Sequence, residues 1–289
     1  MKKTIWNTIK KEFLDIYEGI CPLSDDDILK GPDDVFRPYL ERLNYLASTE
    51  IDDHTAEEMF QDQDFQRAIK QISRVKRMNG LRIETACARS VLSGTDPWDQ
   101  LKQFIYYPNY LGLARMEYQG GELGAGDQVV FLGSGPLPLS LISLYKQYHV
   151  RGIGIEQSPE IAELSRDLVR ILGLSEHIRI IQGNHFSLPI EARGERRGAR
   201  GERQGARGEN CQMIMVGADA LPKDEIFAHL AESLPAGSKV SYRIYEKGLR
   251  RLLDDQSVFD LPHEFREYAR IRPEPPVNNT SVFVVRSEK

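Results

Sequence analysis

Three cysteines among 289 residues, Cys21, Cys87 and Cys211, are too few and too scattered to form a disulfide framework or a zinc motif. The six histidines are dispersed as well, with no pair at helical ligand spacing, so no structural or catalytic metal is expected. No apolar stretch approaches the roughly eighteen uninterrupted residues that a membrane helix needs. Residues 1–20 are interrupted by Lys10, Lys11, Glu12 and Asp15 and lack a small-residue cleavage site, so they read as an amphipathic helix and not as a signal segment. Charge of one sign is also missing: the formal net charge is −5, with 28% charged and 40% hydrophobic residues. That balance excludes the disordered class and any general affinity for nucleic acid. The expectation is a cytoplasmic globular protein with no membrane segment; a homodimer is left open.

Strand signals are nearly absent before Gly120. Apolar residues there recur at three and four, as in Phe65, Ala68, Ile69, Ile72, Val75 and Met78, which is the period of a helix with one buried face. Asn79-Gly80 reads as a helix end, and Thr95-Asp96-Pro97 as the next start, with a capping side chain followed by proline in the first turn. After Gly120, Gly121 and Gly124 the character changes. Short β-branched runs at 128–132, 152–155, 178–182, 212–216, 240–245 and 280–286 alternate with helical stretches at 139–147, 159–172 and 224–234. This alternation predicts an open, mostly parallel sheet covered by helices on both faces. The domain expectation is a helical domain over 1–120 followed by an α/β domain over 121–289. One segment, residues 191–209, is a tandem repeat of Gly, Glu, Arg and Ala without a large apolar residue, so it cannot join a core. Its arginines and glutamates largely compensate each other, which favours an inert surface loop over an RNA-binding tract.

Open parallel sheets bind ligands at the carboxyl ends of their strands. The run Val129-Val130-Phe131-Leu132 leads into Gly133-Ser134-Gly135-Pro136-Leu137-Pro138, a strand, a Gly-x-Gly turn and a helix start that together can cradle a nucleotide or nucleoside. Glu156 closes the second strand, where a carboxylate commonly accepts hydrogen bonds from ribose hydroxyls. The third glycine of the dinucleotide fingerprint is missing, and Pro136 and Pro138 remove backbone donors where a pyrophosphate would be gripped. S-adenosylmethionine, an adenosine without phosphates, therefore fits better than NAD. Asn184, after the third strand, stands where such folds place a polar residue against adenine; a turn-forming role after Gly183 is the alternative.

The string GSGPLPLS at 133–140 strongly resembles the nicotianamine synthase family. So do DPWDQLKQFIYYPNYLGLARMEY at 96–118 and VNNTSVFVV at 277–285, in the same order. The resemblance implies a Rossmann-like methyltransferase-type sheet preceded by an all-helical N-terminal domain. It also implies transfer of the 3-amino-3-carboxypropyl group of S-adenosylmethionine to an amino acid or other amine, with release of methylthioadenosine. The product would be a nicotianamine-like metal chelator, a metallophore. An α-ammonium must lose a proton before it can attack, so a general base is required. The resemblance assigns that role to Glu84, with Tyr110 of the YPNY string orienting the nucleophile or relaying the proton. Tyr107, Arg243, Arg250 and Asn279 match positions expected to bind substrate, the arginines through α-carboxylates. Three departures from the family pattern are the 191–209 insertion, Asn184 in place of an aspartate, and Cys211-Gln212 in place of an acidic residue entering the next strand. The alternative activity is methyl transfer from the same donor to a small molecule.

Overall fold

The structure, a computed structural model, describes residues 2–49, 51–188, 211–246, 249, 254 and 259–287. The 191–209 repeat and Arg250 lie outside the described residues. The chain packs as two compact units, residues 1–86 with 244–259 and residues 87–243 with 260–289.

The first unit is helical. Helix α1 (Lys2–Ile20) places Ile9, Phe13, Ile16 and Ile20 at spacings of four and three, and all four are buried. A capping box between Ser24 and Asp27 starts α2 (Asp25–Lys30), followed by α3 (Arg37–Ala47) and α4 (Asp53–Phe60). Helix α5 (Gln63–Ser93) contributes Phe65, Ala68, Ile69, Ile72 and Val75 to the same core. Phe13 stacks on Phe65 with ring centroids 4.2 Å apart, and Leu249 joins the cluster.

The helix end expected at Asn79-Gly80 does not exist, because α5 runs unbroken for 31 residues. A glycine inside a helix costs only about 1 kcal/mol relative to alanine. Buried side chains on both sides of it, Ile72 and Val75 before and Ala88 and Val91 after, outweigh that cost. The start expected at Thr95-Asp96-Pro97 is found: Asp96 accepts a hydrogen bond from the Asp99 N–H and Pro97 opens α6 (Pro97–Lys102).

The second unit contains α6, α7 (Tyr107–Gly120) and a seven-stranded sheet in the order β3-β2-β1-β4-β5-β7-β6. The strands are β1 (Gln128–Leu132), β2 (Arg151–Glu156), β3 (Ile178–Gln182), β4 (Cys211–Val216), β5 (Lys239–Ile244), β6 (Phe265–Ile271) and β7 (Thr280–Arg286). The pairs β1–β2, β1–β4, β2–β3 and β4–β5 are parallel, and β6–β7 is antiparallel. Helices α8 (Leu139–Tyr148), α9 (Pro159–Ile171) and α10 (Lys223–Ser233) connect the parallel strands. This is the Rossmann-like methyltransferase-type sheet. The chain leaves β1 toward β2 and β3 and returns to build β4 and β5 on the other side, so a topological switch point lies at the carboxyl end of β1. There Leu132 sits between Ile155 and Val216, and every residue of β1 is buried.

The sequence reading omitted β6. Its stretch FREYARI carries three charged residues, as suits an edge strand, and its pairing with β7 shifts register between Glu267 and Ala269, which breaks the strict alternation that marks a strand.

Candidate active site

The turn after β1 is held by its own backbone. Gly133 and Gly135 have φ of +74° and +66°, conformations that a side chain would strain. The N–H groups of Gly133 and Ser134 both donate to the Ile155 carbonyl, at 2.9 and 3.2 Å, which pins the turn to the end of β2. Room for this approach comes from Gly154: a Cβ there would lie 2.8 Å from Ser134. Pro136 and Pro138 follow, and the latter stands at the N-terminal boundary of α8.

Glu156, the last residue of β2, faces this turn. One carboxylate oxygen accepts from the Gly135 N–H at 3.1 Å and the other from the Ser158 N–H at 2.9 Å. Backbone donors on both oxygens fix the plane of the group, and a carboxylate has about four acceptor positions, so capacity remains for two hydroxyl donors. The carboxylate expected to meet a ribose is thus oriented by the turn expected to meet the same nucleoside. Asn184 is exposed, and its side-chain oxygen accepts from the Phe186 N–H at 3.1 Å, capping the short turn His185–Ser187. The turn-forming role weighed for it is realised.

Tyr107 and Tyr110 lie in the first turn of α7, whose second residue is Pro108. Tyr110 is half-buried against Leu113, Met116 and Val277. The Asn109 side-chain oxygen accepts from the Asn278 N–H at 3.1 Å, which ties this turn to the segment entering β7, where Asn279 is buried. Arg243, on β5, is only 4% exposed. It is no surface charge: its Nε donates to Glu117 at 3.1 Å, and its Nη1 donates to the Ser140 hydroxyl at 3.0 Å.

The turn, Glu156, Tyr107, Tyr110, Arg243 and Asn279 all belong to the second unit; Glu84 belongs to the first, half-buried on α5. Glu117 was missed by sequence reading. A signal was available, because it falls on the stripe of Leu113, Met116 and Gly120 that faces the core, where a carboxylate is out of place. Among the described residues no group of three or more His, Cys, Asp or Glu is arranged to hold a metal ion, and no helix is long and apolar enough to cross a membrane.

Comparison with known proteins adds the family. The model of the nicotianamine synthase protein family matches residues 2–184 and 213–289. The chain belongs to the nicotianamine synthase family. A curated relative, the nicotianamine synthase-like 5 protein of Hordeum vulgare, is 41% identical over 56 residues, which span 19% of this chain and 20% of the barley protein. The matched stretch is therefore about a fifth of that relative's length. Among solved structures, MtNAS in complex with MTA and tNA is 27% identical over 98% of both chains, with a TM-score of 0.79. A glutamate-to-glutamine variant of MtNAS in complex with S-adenosylmethionine superposes with a TM-score of 0.76 at the same identity. The departures found by sequence reading leave this family member's turn intact: the insertion falls in the gap between the two matched stretches, and Glu156 and Gly135 keep their mutual hydrogen bond.

Proposed function

We propose that this nicotianamine synthase family member transfers the 3-amino-3-carboxypropyl group of S-adenosylmethionine to an amine and releases methylthioadenosine. The acceptor nitrogen, once deprotonated, forms a bond to the carbon beside the sulfonium; the carbon–sulfur bond breaks, and its electron pair neutralises the sulfur. The observation that carries this reading is the family match along both halves of the chain, joined to a phosphate-free nucleoside turn whose carboxylate is clamped by backbone. The relatives' complexes with S-adenosylmethionine and with MTA, read as the donor and the nucleoside it leaves behind, support it.

Gly133, Ser134, Gly135 and Pro136 bind the donor through the turn. Glu156 receives the ribose hydroxyls, and the Asn184 amide meets adenine. Glu84 takes the proton from the acceptor, and Tyr110 orients that nitrogen with Tyr107 beside it. Arg243, Arg250 and Asn279 recognise α-carboxylates. By chain position, Glu84, Tyr107 and Tyr110 fall in the helical stretch 1–120, and the turn and Glu156 fall in residues 121–289. The acceptor is an amino acid and the product a nicotianamine-like chelator that serves as a metallophore, made in the cytoplasm without a resident metal.

The test is to incubate the purified protein with S-adenosylmethionine and candidate amino acids and to identify all products by mass spectrometry. Methylthioadenosine is expected; S-adenosylhomocysteine in its place would return the assignment to methyl transfer. For Glu84→Gln, turnover falls by roughly 10²–10⁴ while donor binding persists, the usual size of a general-base contribution. Normal turnover in that variant would remove Glu84 from the mechanism.

A further inference from the structure

Glu117 is fully buried in the middle of the core-facing stripe of α7. One of its oxygens, Oε1, accepts from Arg243 Nε at 3.1 Å and from the Ser281 hydroxyl at 3.1 Å. Among the described residues its other oxygen, Oε2, has no hydrogen-bond partner, and neither do Arg243 Nη2 and Asn279 Nδ2, all of them buried. The guanidinium carbon lies 5.4 Å from the centre of the Phe131 ring, at the end of β1.

Fold stability is a poor explanation of this arrangement. A buried ion pair offsets its desolvation only when the remaining donors and acceptors are also satisfied, and each unsatisfied one costs about 1–3 kcal/mol. Here the pair touches through a single nitrogen and a single oxygen. Apolar side chains in place of both Glu117 and Arg243 would continue the stripe of Leu113, Met116 and Gly120 and bury apolar surface with none of these costs. The polar residues do accomplish something else. Through three hydrogen bonds they join α7, which carries Tyr107 and Tyr110, to α8 behind the nucleoside turn, to β5 and to β7. They also fix which part of the guanidinium is engaged and which is left.

We infer that Glu117 is a positioning residue for acceptor binding. It holds Arg243 by Nε, so that Nη2, together with Asn279 Nδ2, is reserved as the donor pair for an α-carboxylate. The inference rests on the proposed aminocarboxypropyl transfer, because it takes Arg243 and Asn279 as substrate-binding residues. Glu117 acts only through Arg243 and touches no reacting atom.

The experiment uses the full chain and its Glu117→Gln variant below both melting transitions. S-adenosylmethionine is the donor, and an equimolar mixture of the common amino acids is the acceptor probe. The mixture concentration giving half-maximal methylthioadenosine release should rise about tenfold in the variant, the scale expected for about 1.4 kcal/mol of binding. The Kd for S-adenosylmethionine, measured by calorimetry, should stay within about threefold, since a turn held by its own backbone does not depend on Glu117. A lower melting temperature with unchanged half-saturation would make Glu117 merely structural and overturn the inference. Parallel loss of donor affinity would overturn it as well. If Glu117→Gln does not fold, Ser281→Ala decides: it removes one of the two donors to Oε1, and half-saturation should rise about two- to threefold, as for loss of one modest hydrogen bond; no change would refute the inference. Failure of the underlying activity is seen separately, as a wild-type protein that releases no methylthioadenosine under any condition.

Discussion

The turn after β1 and the polar nest around Arg243 sit in the same unit and are built by opposite means. The turn is backbone: two left-handed glycines, two N–H groups on one carbonyl, and a single carboxylate bonded to N–H groups 21 and 2 positions away. The nest is side chain, and its partners stand 103 to 164 positions apart in sequence. A backbone cradle keeps its shape when a neighbouring side chain changes. A side-chain nest depends on every member, because removing one leaves another buried without a partner. Under the proposed function, the first construction suits a site that must bind one invariant nucleoside, and the second suits a site whose preference among carboxylates is to be tuned.

The comparison can be broken in stages. The largest effect is expected from Glu117→Ala, which leaves the Arg243 guanidinium buried and uncompensated. Such losses run to about 3–5 kcal/mol, roughly 10 °C of melting temperature for a unit of this size; an unchanged melting curve would mean that the nest is not a mutually dependent network. Next comes Glu156→Ala, which removes a charged acceptor from the turn. S-adenosylmethionine should bind about 10–100-fold more weakly by calorimetry, the equivalent of roughly 1.5–3 kcal/mol, with the melting temperature little changed. Gly133→Ala should cost about 1–2 kcal/mol from its left-handed backbone. The added Cβ would also meet the Ala220 Cβ at 3.1 Å, so a thermal melt and donor binding should both respond.

The smallest effect lies outside both regions. Burial, and then the neighbouring His229, hold the His185 pKa below its ordinary value of 6.5, against the opposing pull of Glu225. The folded state therefore refuses a proton that the unfolded chain accepts. This contribution to stability is present above pH 6.5 and is lost as pH falls below that value. Melting temperatures between pH 7 and 5 should fall less steeply in His185→Gln than in the wild type; an identical slope would dismiss the effect.

Legibility in the sequence followed the same division. Strand β1, its glycine turn and Glu156 are close in the chain, so their pattern survives in a single line of residues, and the parallel sheet could be read from alternating apolar runs. Glu117, Ser140, Arg243 and Ser281 are brought together only by the fold; the resemblance marked Arg243 and the apolar stripe could have marked Glu117, but nothing local in the sequence ties the four to one another. The continuous helix α5 was hidden by Asn79-Gly80, because local propensity is a weak term when both flanks are buried. The edge strand β6 was hidden by the charges that suit an edge.

The central claim concerns which carbon of the sulfonium meets the acceptor nitrogen. It is tested most directly by giving the protein S-adenosylmethionine labelled with ¹³C at the chain carbon beside sulfur and following the label by NMR. The account predicts a labelled carbon newly bonded to nitrogen in the amino-acid product and an unlabelled nucleoside thioether. Label retained on the nucleoside product as adenosylhomocysteine, with the acceptor carrying a new methyl group, would contradict it.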